Sequence, residues 1–96
     1  MKLAVDVGPL RLKNPLIAAS GTFGYGVEYE GIIDLAILGG LVSKGLYLEP
    51  RDGCATPRIV ETPSGLLNAI GLQGVGVRAF VADVMPALAR YDTAVI

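Results

Sequence analysis

Ninety-six residues allow one small domain or a part of a larger one. Eight basic against nine acidic side chains, a net charge of −1 and no histidine argue against a nucleic-acid surface. They also exclude the usual histidine metal sites and the Ser-His and Cys-His nucleophile pairs. With 52% hydrophobic and 18% charged residues, the chain is too apolar to be disordered.

Met1 to Ala4 leads straight towards Asp6 without the apolar core of a signal peptide. The stretches between Pro15 and Glu28 and between Thr62 and Val77 are too rich in polar residues for a membrane span. The one cysteine, Cys54, provides neither a disulfide framework nor a multi-cysteine metal site. A cytoplasmic protein with no metal, nucleic-acid or membrane partner is therefore expected.

Leu3 to Val7, the Gly8-Pro9 break and Leu10 to Lys13 predict a two-stranded ribbon. Asn14-Pro15 ends it, because a residue before proline is held extended. Leu16 to Ala19 is apolar at consecutive positions, the pattern of a strand buried on both faces of a parallel sheet. It runs into the polar turn Ser20-Gly21-Thr22. A short helix is expected around Val27 to Asp34, with Glu28 and Glu30 near its positive end. Gly39-Gly40 closes this unit, and Leu41-Val42-Ser43 begins a second buried strand leading to Lys44-Gly45.

Between Tyr47 and Gln73 the chain carries Pro50, Gly53, Pro57, Pro63 and Gly65, with one strand-like run from Arg58 to Thr62. Excursions of this length are usually functional or disordered. Val77, Phe80, Val81, Val84, Leu88 and Tyr91 then fall on one helical face, with a kink or restart expected at Pro86. Thr93 to Ile96 begins a further buried strand. This is the rhythm of an α/β fold with parallel strands. A (β/α)8 barrel takes about 250 residues, or roughly 31 per unit. Residues 1–96 are thus expected to be the N-terminal portion of one barrel domain, the ribbon plus about three βα units.

In such folds functional groups gather at the C-terminal ends of the strands. Lys44 stands there with glycine beside it, suited to hold an anionic ligand or to act as a partly desolvated base. A lysine snorkelling to solvent would occupy the same position. Ser20-Gly21 lets a ligand approach the backbone, and a tight βα turn needs the same residue. Asn68 and Gln73 bracket Gly71, where a carboxamide could read a planar ring of alternating donors and acceptors or satisfy the loop's own backbone. Cys54, with only Arg51 and Arg58 near it in sequence, reads as a passive thiol.

Taken in order, Lys13-Asn14-Pro15, Ala19-Ser20-Gly21, Ser43-Lys44-Gly45, Glu49-Pro50-Arg51, Pro57-Arg58 and Asn68-Ala69-Ile70-Gly71-Leu72-Gln73 resemble the N-terminal part of class 1 dihydroorotate dehydrogenase. The resemblance runs from about residue 3 to residue 96, and the last motif is closer to the NAD-linked subclass than to the fumarate-linked one. It implies an FMN-containing (β/α)8 barrel that oxidises dihydroorotate to orotate in pyrimidine synthesis. Ala19, Ser20, Gly21, Lys44 and Gly45 would face FMN, and Lys44, Asn68, Ala69, Ile70, Gly71 and Leu72 would face the pyrimidine. A fixed cation such as Lys44 suits the negative charge that builds on the flavin and the anionic orotate.

The family's catalytic base is a cysteine on a later loop, so no catalytic residue is expected before Ile96, and Cys54 does not take that part. The resemblance also implies a homodimer. A heterotetramer with an electron-transfer subunit that carries FAD and a 2Fe-2S cluster is a further implied assembly. Where many relatives have Asn-Pro after the glutamine, this chain has Gly74-Val75. Two other readings stand beside this one. The chain could belong to another FMN-barrel enzyme, a dihydropyrimidine or dihydrouridine reductase. It could also be a non-catalytic fragment acting only in assembly. The 96 residues alone are expected not to turn over dihydroorotate.

Overall fold

The structure is a computed structural model that describes residues 2–96; Met1, where the reading for a signal peptide begins, lies outside them. The expected ribbon is present. Strands β1 (Val5–Val7) and β2 (Leu10–Leu12) pair antiparallel, with Val7 opposite Leu10 across the Gly8-Pro9 turn. Lys13 follows directly, and its Nζ donates to the carbonyls of Ala36 and Asp92. Asn14 Nδ2 donates to Ile37 O at 2.9 Å while its Oδ1 accepts from Leu16 N at 2.9 Å. Two consecutive polar side chains thus tie the ribbon beneath the sheet.

That sheet has three parallel strands, β3 (Ile17–Ala18), β4 (Gly40–Leu41) and β7 (Ala94–Val95), in the order in which the chain makes them. The three apolar runs expected from sequence therefore form the sheet, but burial on both faces holds only for the central β4. Ile17 of β3 and Val95 of β7 are exposed, because nothing among the described residues packs on the outer side of the flanking strands. Backbone bonds carry the ladder beyond the short strands, from Val42 N to Ala18 O (2.9 Å), Ile96 N to Leu41 O (2.9 Å) and Ser43 N to Ile96 O (2.8 Å). Sequential parallel order with crossovers between strands is the mixed α/β arrangement expected.

The first crossover corrects one expectation. Instead of a helix over Val27 to Asp34 there are two single 3-10 turns, Val27–Tyr29 and Leu35–Ile37. Gly31 weakens a helix here, and the Asp34 carboxylate accepts from Ala36 N at 2.9 Å, which starts a new turn rather than continuing an old one. Glu28 does stand in the first turn of Val27–Tyr29, as expected. Its carboxylate folds back to accept from Tyr25 N at 3.1 Å.

The second crossover contains the helical face read from sequence, divided into α1 (Val77–Ala79), a wide turn over Phe80–Val84 and α2 (Met85–Leu88). The break precedes Pro86. Met85 N reaches back five residues to Phe80 O, so the chain changes register just before the residue that has no N–H to donate. The shift keeps Phe80 and Leu88 buried but turns Val81 outward, 55% exposed. Leu88 joins Leu35, Leu38 and Leu41 in a small core between helix and sheet, with Phe23, Tyr29 and Tyr91 packed at its rim. Leu41 is fully buried, and Leu41→Ala should cost about 2–5 kcal/mol, read as a lower urea midpoint with an unchanged slope.

Candidate functional site

The C-terminal ends of β3 and β4 lie on one edge of the sheet, and the residues that follow them are held together by the backbone. The Lys44 amide donates to Gly24 O at 3.0 Å, which joins the chain leaving β4 to the turn leaving β3. That turn holds Ala19, Ser20 and Gly21, all exposed. Thr22 Oγ1 closes it by donating to Ala19 O at 3.2 Å. A Cβ added at Gly21 or at Gly45 would meet nothing within 4 Å, so the backbone of both turns is open to a flat ligand.

Lys44 itself is half-buried, and among the described residues no carboxylate pairs with it. With Gly45, Leu46, Tyr47 and Leu72 it lines a cavity of about 310 Å³. The strand-end lysine thus shares an apolar-walled hollow with one end of the segment Asn68 to Leu72. A cation whose surroundings are mostly apolar is a better anion site than one in open water, because the attraction is less screened.

The excursion that brings Leu72 there is built from two arms and a hairpin. The outgoing arm and the returning arm pair at Arg51 and Gly74, whose backbones exchange bonds of 2.8 and 2.9 Å. Between them, β5 (Ile59–Thr62) and β6 (Gly65–Asn68) form an antiparallel hairpin around Pro63-Ser64. Only β5 is foreshadowed by the apolar run; β6 was not expected, although Thr-Pro-Ser-Gly is a turn signal.

Arg58 clamps the base of the hairpin. Its guanidinium donates to Asp52 O and Cys54 O, both at 3.2 Å, and to Gln73 Oε1 at 2.5 Å. Gln73 therefore serves the loop's own architecture, the bland half of the sequence reading.

Asn68 ends β6 and is exposed. Its Oδ1 lies 3.5 Å from Ile70 N, long for a hydrogen bond, and its Nδ2 has no acceptor among the described residues. With Ala69, Arg58 and the apolar side of the hairpin it borders a second hollow of about 360 Å³. Lys44 and Asn68 thus line separate hollows rather than a common one.

Ile70, Gly71 and Leu72 make the connection. Gly71 and Leu72 both take positive φ, 77° and 57°. Leu72 is the only non-glycine residue in that region among the described residues, and it is strained there in a way that ligand loops often are. Cys54 is exposed, accepts no activating neighbour, and supplies the wall against which Gly71 packs: its amide donates to Ile70 O at 2.9 Å.

A family model for dihydroorotate dehydrogenase matches residues 2–96. The chain belongs to the dihydroorotate dehydrogenase family. It is 55% identical over 94 residues to the catalytic subunit of dihydroorotate dehydrogenase B (NAD(+)) of Pelobacter propionicus, covering 98% of this chain and 31% of that protein. The subunit of the same name from Thermoanaerobacter pseudethanolicus is 53% identical over 96 residues, all of this chain and 32% of that protein. A relative from Solibacter usitatus, 54% identical over 94 residues and covered to 31%, is provisionally named for the fumarate-type enzyme A. The chain spans about a third of the length of these relatives.

Sequence reasoning assigned no part to Arg58, although Pro57-Arg58 belongs to the family resemblance, nor to Tyr25. Nothing in the local sequence says which carbonyls a guanidinium will find. Gly71 is the more legible residue, because its φ and its neighbour both demand glycine. A Cβ there would lie 2.5 Å from Cys54 Sγ and 2.6 Å from Cys54 N. Gly71→Ala should therefore unseat the excursion, seen as faster proteolysis and faster amide exchange between residues 50 and 75. Gly45→Ala, with open space beside it, should leave both rates unchanged.

Proposed function

We propose that this chain is the N-terminal portion of an FMN-dependent (β/α)8 barrel that oxidises dihydroorotate to orotate in pyrimidine synthesis. The observation that supports it most is the joining of the strand-end Lys44 to Leu72 in one hollow, within a chain whose family match covers residues 2–96. The fit to a flavin rests on two open glycine turns at one sheet edge and on a half-buried lysine among apolar walls. Ala19, Ser20, Gly21, Lys44 and Gly45 would hold FMN, which supplies the acceptor for a hydride when bound.

The chain's own residues then have separable parts. Lys44 offers a positive charge, with no carboxylate partner among the described residues, to the orotate carboxylate and to negative charge developing beside it. Asn68 offers a carboxamide that the loop holds only weakly, through a long 3.5 Å contact from Ile70 N to Oδ1. Ala69, Ile70, Gly71 and Leu72 present backbone groups in a conformation fixed by two positive φ angles. Leu46, Tyr47 and Leu72 give the lysine apolar neighbours. No residue here is assigned as general base, and Cys54 is committed to packing against Gly71.

The NAD-type names of most of the relatives described above support a partnership with a separate electron-transfer subunit that carries FAD and a 2Fe-2S cluster, in a complex built on a homodimer. Among the described residues no helix is long and apolar enough to cross a membrane, in keeping with work in the cytoplasm.

In the complete FMN-loaded protein, Lys44→Ala should weaken orotate binding and slow reduction of the flavin by dihydroorotate together, each by about 1.5–3 kcal/mol, the usual worth of a hydrogen bond to a charged group. Rapid mixing and an orotate titration measure both. Asn68→Ala should raise the KM for dihydroorotate with the melting temperature nearly unchanged; a large fall in melting temperature with normal kinetics would return Asn68 to a structural part.

A further inference from the structure

Tyr25 is nearly buried at 6% exposure, yet its side chain carries a polar tip that a buried phenylalanine would lack. The ring packs on Phe80, with centroids 5.5 Å apart and planes inclined by 53°. Its hydroxyl leaves that apolar contact and accepts the Val75 amide at 3.2 Å, fifty residues further along the chain. A Cβ added at the neighbouring Gly74 would stand 3.0 Å from the same oxygen, so the returning arm lies close against the phenol. The Tyr25 backbone is fixed as firmly, because the Glu28 carboxylate accepts its amide. The carbonyl immediately before it, Gly24 O, accepts the Lys44 amide.

One residue is therefore held at its backbone next to Lys44 and at its hydroxyl to the arm that carries Asn68 to Leu72. We infer that Tyr25 is a positioning residue that sets the distance between the Lys44 turn and the Asn68–Leu72 segment. This rests on the function proposed above and deepens it, because the two groups would bind one substrate from two elements joined by a long excursion. Arg51 and Gly74 close that excursion on itself, but their pairing lies between its own two arms. Across the gap to the turn after β3, the Tyr25 hydroxyl supplies a directed side-chain link. The Val75 side is half open, 41% exposed. Water can satisfy the amide once the phenol oxygen is gone, so loss of the bond should cost position more than stability.

The test is Tyr25→Phe in the complete FMN-loaded protein, which keeps the ring on Phe80. Amide exchange at Val75 should quicken severalfold, while the melting temperature and FMN content stay near wild type. The dissociation constant of orotate and the KM for dihydroorotate should each rise about fivefold, the order that one neutral hydrogen bond carries, with kcat at saturating substrate little changed. Faster Val75 exchange with unaltered orotate affinity would overturn the positioning role while leaving the proposed function intact. Unaltered exchange would show that the bond does not restrain the arm, and would overturn it as well. Wild-type protein that binds neither FMN nor orotate would overturn the functional reading itself, and the inference with it.

Discussion

The chain leaves the sheet at Lys44 and must return to the same edge at Val77 to make its helix. The antiparallel pairing of the outgoing and returning arms makes that possible. Arg51 and Gly74 exchange two backbone bonds, and Val77 N donates to Tyr47 O at 2.9 Å. Closing a loop of this length carries an entropic cost that grows only slowly with the number of residues. A few bonds at its base are enough to hold it, and everything beyond them is carried as a hairpin. Arg58 then joins the two arms from the side through three acceptors, and Arg51 lies over the Tyr47 ring, 4.5 Å from its centre.

The position of the site follows from this closure. A parallel sheet offers ligands the C-terminal ends of its strands, but two turns, at Ser20 and at Lys44, present only one wall. The excursion folds a second set of groups back over that edge, and Leu72 reaches the cavity of Lys44 as a result. The hairpin at its tip is apolar on both faces: Ile59, Val60, Leu66 and Leu67 are each more than half exposed. Apolar surface of this kind marks a place of contact with other protein.

The parallel strands were legible as runs of consecutive apolar residues at Leu16–Ala19, Leu41–Val42 and Ala94–Ile96, although only the central strand is buried here: Leu16, Ile17, Val95 and Ile96 on the flanking strands are exposed. The ribbon was legible from Gly8-Pro9, and the helical face from the spacing of Phe80, Val84 and Leu88. Local competition hid the rest. Around Val27 the apolar pattern permits a helix, but Asp34 caps a fresh turn and Gly31 weakens the old one. At Pro86 a kink was foreseen, and the chain met the same constraint by widening the preceding turn. For the site, Lys44 and the Asn68–Leu72 segment stood out as polar or glycine-bearing groups at strand ends. Tyr25 and Arg58 did not, because the bond by which each spans the excursion reaches a partner fifteen residues away for Arg58 and fifty for Tyr25, and sequence spacing carries no record of such contacts.

A structure of the complete protein with FMN and orotate bound would test the central claim most directly. Lys44 Nζ should lie within hydrogen-bond distance of orotate with the flavin ring against Ser20–Gly21 and Gly45, and the Asn68 carboxamide should meet the pyrimidine from the excursion. Lys44 turned to solvent, or orotate bound away from the Asn68–Leu72 segment, would contradict the assignment of this sheet edge as the catalytic wall.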